Sequence, residues 1–227
     1  MPRIVPFTKT DLFNFILGFH ILGGTLALII APLAMVTVKG GLWHRRWGKI
    51  FFWAMAEVAL TAAGLCWLRT GLFLFLIAIL SFYLALTGYR VLGRKNPEAR
   101  PHLFDICIAL VMVIAGGGFI LLGALGENGS PRQVRIIFGI ISLLLGLRDI
   151  FRLFKPRRDK RAWMFHHMTR FLGAYLATVT AFSVVNFKFL PYFWRWLWPT
   201  VFGTFGIVLW RRYYARKFKK EDHGIVQ

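Results

Sequence analysis

Apolar residues run along this chain in blocks of about twenty, separated by short segments rich in arginine, lysine, glycine and proline. An α-helix rises 1.5 Å per residue, so about 20 apolar residues cover the ~30 Å hydrocarbon layer of a bilayer. Read this way, the pattern predicts spans over residues 11–38, 48–68, 72–92, 102–126, 132–153, 163–187 and 192–210, followed by a basic tail over 211–227. No stretch between them suits a soluble domain. The expected fold is therefore all-α, one polytopic membrane domain over residues 1–227 built as a bundle of seven transmembrane helices.

Composition supports that class and changes the meaning of the charge. Of 227 residues, 57% are hydrophobic, more than a soluble domain carries, and the formal net charge is +20. In a soluble protein such a charge would point to nucleic acid. Here it is concentrated in KGGLWHRRWGK, YRVLGRKNPEARPH, FRLFKPRRDKR and RRYYARKFKK, which all fall on one side of a seven-span bundle. Cytoplasmic loops are marked in this way, giving an outside N-terminus, a cytoplasmic C-terminus and, as the expected location, a bacterial inner membrane. The implied partners are the bilayer and anionic lipids at its cytoplasmic face, with no nucleic acid. Trp43, Trp47, Trp163, Trp194, Trp196, Trp198 and Trp210 lie near predicted span ends and read as an interfacial belt.

Small and polar residues recur at helical spacing within the spans. His20, Gly23, Gly24, Ala27 and Ala31 share one face of the first, and Ala54, Glu57, Thr61 and Gly64 one face of the second. The sixth carries His166, His167, Arg170, Gly173, Ala174 and Ala177. Such stripes mark either close helix packing or room for a flat cofactor or lipid-like substrate. His20 and Glu57 sit at similar depths near the bilayer midplane, so they are expected to form a buried polar pair. Gly203 and Gly206 offer a face for a homodimer.

Four histidines, His44, His102, His166 and His167, fall at predicted cytoplasmic helix ends. A haem between helices needs imidazoles from facing helices at one depth. His102 with His166 or His167 meets that condition, with His44 as a substitute ligand and Arg170, Arg45 or Arg46 as propionate partners. The alternative is a zinc or iron site built from His102, Asp105, His166 and His167, although neither HExxH nor Glu-x-x-His occurs. The plainer reading of each is a solvated residue at a membrane interface. Asp149, beside Arg148, reads as a surface ion pair. No nucleophile context assigns a catalytic residue.

His20-Ile-Leu-Gly-Gly, HRRWGKIFFWAM (44–55) and HHMTRFLGAYLATVTAFSVVN (166–186) resemble a family of uncharacterised bacterial multi-pass membrane proteins. The shared features are a histidine in the first span, an HR-x-x-G element beginning the second and a late HHM-x-R helix. The resemblance covers most of the first six spans and implies no particular activity. A looser similarity connects such proteins to b-type cytochromes and membrane-bound ferric reductases, and implies haem b. Those folds stack two histidine pairs, whereas only the cytoplasmic level here has enough histidines. The functional expectation is a haem-binding, electron-transfer protein of b-cytochrome type. The alternatives are a membrane metalloenzyme acting on a lipid-like substrate, and a non-enzymatic transporter or accessory protein using His20 and Glu57.

Overall fold

The computed structural model describes residues 8–69, 71–96, 102–126, 132–154, 161–222 and 224. They form seven α-helices: α1 (Lys9–Val36), α2 (Leu42–Leu68), α3 (Leu72–Arg90), α4 (Leu103–Ala124), α5 (Arg132–Phe154), α6 (Ala162–Asn186) and α7 (Tyr192–Asp222). A 3-10 turn over Val91–Gly93 prolongs α3. Five helices, α1, α2, α3 with its turn, α4 and α6, are long and apolar enough to cross a membrane. The chain is thus an all-α membrane protein. Its outward faces agree, because side chains such as Leu22, Leu60, Ile114, Phe202 and Phe205 lie exposed where only a lipid environment accommodates them at low cost.

Two boundaries differ from the sequence expectation. The second helix starts at Leu42 and so takes His44 and Trp47 into its first turns. The last continues to Asp222, because no glycine or proline interrupts it after Gly206; most of the basic tail is therefore helical. Thr8 caps the start of α1, its hydroxyl accepting the Asp11 N–H at 3.2 Å while Asp11 accepts the Thr8 N–H at 2.9 Å. Gly40, at φ 77°, supplies the left-handed residue in the short turn from α1 to α2.

The closest helix pair is α4 with α5. A Cβ on Gly116 would lie 2.7 Å from the Leu143 backbone nitrogen, and one on Gly146 3.0 Å from the Ala109 carbonyl oxygen. Glycine is what lets these backbones approach so nearly. Gly203 packs against Leu176 of α6 within the chain, while Gly206 faces open space. Of the dimer face expected from these two glycines, one position is thus occupied inside the molecule. The core between these helices is aromatic: Trp196, 3% exposed, sits 5.1 Å from the Phe73 ring and 6.1 Å from Phe138. Trp198 donates its indole N–H to the Ser183 hydroxyl at 2.7 Å. Both tryptophans were expected in the interfacial belt, but Trp196 is buried in the core and Trp198 is half-buried against α6.

Candidate functional site

The arginine-rich ends of the helices gather at one end of the bundle. There the His44 Nδ1, near the start of α2, donates to the Ala34 carbonyl near the end of α1 at 2.9 Å. Arg90, closing α3, bonds Asp105 in the first turn of α4 at 2.5 Å, with Arg94 3.4 Å from the same carboxylate. Arg161, before α6, donates to the Phe218 carbonyl of α7 at 3.3 Å.

The four terminal histidines share this end but not one site. His102 caps α4, its Nδ1 accepting the Phe104 N–H at 3.3 Å. His166 meets Arg152 of α5, with 3.0 Å between Nδ1 and Nη1. His167 donates from Nδ1 to the Gly88 carbonyl of α3 at 2.8 Å. Neighbouring residues on a helix point about 100° apart, which sends these two rings to different neighbours. The proposed zinc or iron set of His102, Asp105, His166 and His167 is therefore dispersed, and among the described residues no three His, Cys, Asp or Glu side chains gather to hold a metal ion. The ring facing His167 belongs to His44 and not to His102: their centroids are 6.3 Å apart and their planes at 78°. Phe171 tilts against His167 at 4.5 Å and reaches Phe51 at 5.7 Å.

A carbonyl oxygen can only accept. Each Nδ1 of this pair must therefore carry the proton, which leaves each Nε2 of the neutral rings with a lone pair. The same hydrogen-bond pattern orients histidine ligands in metal centres.

His20 and Glu57 do not form the expected pair. The His20 Nδ1 meets the Thr61 hydroxyl at 2.9 Å, and that hydroxyl spends its own proton on the Glu57 carbonyl at 2.8 Å. Both carboxyl oxygens of Glu57 are buried without a hydrogen-bond partner, beside Gly23. The short turn between α1 and α2 fixes the reason: it sets position 20 level with 61, 23 with 57 and 16 with 64. Glu57 is thus one helical turn from the level of His20.

A buried triad went unrecognised in the sequence. Arg170 of α6 bonds Asp149 of α5 at 2.5 Å, and the Tyr83 hydroxyl of α3 donates to the other Asp149 oxygen at 2.5 Å. Asp149 is 7% and Arg170 3% exposed, so this is neither a surface pair nor a free propionate partner. Consecutive residues do not face each other on a helix, and that excludes Arg148 as the natural partner of Asp149. Inward-facing charges in a span call for a partner on another helix, a rule that could have found the pair.

Beside the triad lies a cavity of about 600 Å³ walled by α3, α4, α5, α6 and α7. His166 and Arg170 line it. No family model, curated protein or solved structure matches this chain.

Proposed function

We propose that the chain is a haem-binding membrane protein of b-cytochrome type in which His44 and His167 would hold the haem. The observation that carries this reading is the facing pair of rings, both anchored through Nδ1. Imidazole nitrogen is the donor type that would hold haem iron, and the two ring centroids lie 6.3 Å apart. The backbone carbonyls of Ala34 and Gly88 hold the tautomer and orientation, and Phe171 supplies an apolar surround. Bound there, haem iron would supply one-electron transfer. Arg170 has no part in this version: it bonds Asp149 through Nη2 and lines the cavity together with His166.

Protein purified from haem-sufficient cells should show a Soret band. His44→Ala and His167→Ala should each abolish or strongly shift it, whereas His102→Ala, which removes only a helix cap, should keep it. A wild-type protein without the band, or one whose band survives both substitutions at unchanged melting temperature, ends the proposal.

The same reading has seven crossings in a bacterial inner membrane, with the N-terminus outside and the arginine-rich bundle end in the cytoplasm. What supports it is the gathering of basic helix ends on one side, where positive charge is retained during insertion. The charged residues of α5 and α7 then lie mostly within the bundle or at its ends. A reporter fused at the C-terminus should be active only as a cytoplasmic fusion, and a tag placed in 127–131 should be cut by external protease; the reverse pattern inverts the topology.

A further inference from the structure

The cavity beside α6 is amphiphilic, and its two ends differ in chemistry. Six arginines and two aspartates line it. Arg90 and Arg94 are engaged by Asp105, and Arg170 by Asp149. Beyond those pairs, Arg148, Arg152 and Arg211 are exposed around the opening, so the mouth has an excess of positive charge. Deeper in, the walls are apolar: Leu84, Leu176 and Ile207 line the passage toward Thr180. From Phe165 to Thr180, both at its wall, α6 runs roughly 22 Å at 1.5 Å per residue. The volume lies within the ~300–1,000 Å³ typical of sites that enclose a small ligand.

One buried group points independently to an anion. Arg170 is 3% exposed, lines this cavity, and offers Asp149 only one face of its guanidinium; its Nη1 is buried with no hydrogen-bond partner. A buried donor of a charged group left unmade is costly, and an oxyanion is the natural complement to a planar guanidinium. A soluble anion would satisfy the mouth but leave the apolar passage unfilled. A neutral lipid would do the opposite.

We propose that this cavity binds an anionic amphiphile with a single apolar chain, its head group held by Arg148, Arg152 and Arg170 and its chain lying along Leu84, Leu176 and Ile207. The weak contact between α5 and α7 leaves a side on which such a molecule enters from the surrounding lipid. The site is separate from the His44–His167 pair, with His166 and His167 on different sides of α6. It stands whether or not haem binds.

The test uses the full-length protein in phosphatidylcholine nanodiscs, with dodecyl phosphate, dodecanoate, a neutral dodecyl glucoside and inorganic phosphate as probes. Melting temperature and the fluorescence of Trp163, which lines the cavity, report binding. At least one anionic dodecyl probe should bind with saturation, at least tenfold more tightly than the glucoside and inorganic phosphate, and the order of the two anionic probes identifies the head group. The double variant Arg148→Gln/Arg152→Gln changes exposed residues and should fold, yet weaken binding at least tenfold. Ala177→Trp, within the passage, should remove the advantage of the alkylated probe over inorganic phosphate. Equal binding of the neutral and anionic chains, equal binding of inorganic and dodecyl phosphate, or undiminished affinity in the arginine double variant would each overturn the proposal.

Discussion

Asp149→Ala is expected to lower stability by about 3–5 kcal/mol, the usual cost of removing one member of a buried ion pair. The carboxylate is the hub of the triad, accepting from Arg170 through one oxygen and from Tyr83 through the other. Without it, Arg170 keeps its charge, now uncompensated and 3% exposed, between α3, α5 and α6. For a chain of this size each kcal/mol moves the melting temperature by roughly 2–4 °C, so a fall of about 10 °C in detergent is expected. Tyr83→Phe removes a single hydrogen bond and should cost about 1–3 kcal/mol, towards the upper part of that range because the bond is to a charged group. The informative variant is Asp149→Leu/Arg170→Met. Replacing both charges by apolar groups removes the unpaired cation and should recover most of the loss. A double variant as unstable as Asp149→Ala alone would show that the stability comes from side-chain packing at these positions and not from the pairing.

How much of this was legible in the sequence depended on the physical variable that governed each feature. Helix identity and number followed from apolar block length, and the described helices reproduce the seven blocks to within a turn except at the start of α2 and the end of α7, five of them being long and apolar enough to cross a membrane. Depth was only partly legible: His20 and Glu57 were expected to be level but lie one turn apart, and Thr61, on the same predicted face, took the role assigned to Glu57. Rotation about the helix axis was not. His166 and His167 share a depth, but their partners, Arg152 and Gly88, are set by which helices flank α6, and that is a property of the tertiary arrangement. The same applies to Tyr83, an apolar-looking residue in an apolar span until Asp149 arrives from α5. Trp196 and Trp198 show the converse error, because proximity to a span end says nothing about which side of the helix faces the core. The cavity needed five helices to exist and left only its separate ingredients in the sequence: small residues after Arg170 and arginines at helix ends.

Substitution at the α4–α5 contact is expected to produce effects of opposite sign at adjacent glycines. A Cβ on Gly116 would meet only backbone: Leu143 N at 2.7 Å, Leu143 Cα at 3.0 Å and the Gly139 carbonyl oxygen at 3.1 Å. No side-chain rotation relieves that, so α5 must move away along its length, and such overpacking costs typically about 1–3 kcal/mol. Gly117, one residue on, has nothing within 4 Å of its Cβ position. There alanine should stabilise the helix by roughly 0.5–1 kcal/mol through its better helix propensity. Gly116→Ala should therefore melt lower than wild type and Gly117→Ala as high or higher, with Gly116→Val lower still. The consequence reaches the cavity, because α5 carries Arg148, Asp149 and Arg152 and leans on α4 through Gly139 and Gly146 as well as Gly116. A displaced α5 should weaken dodecyl phosphate binding in Gly116→Val at temperatures where the protein is still folded, while the absorption of a centre held by His44 and His167 on α2 and α6 stays unchanged. Equal melting temperatures for Gly116→Ala and Gly117→Ala would show that the two helices are not in the close contact described. Loss of both binding and absorption at once would place α5 and the histidine pair in one cooperative unit.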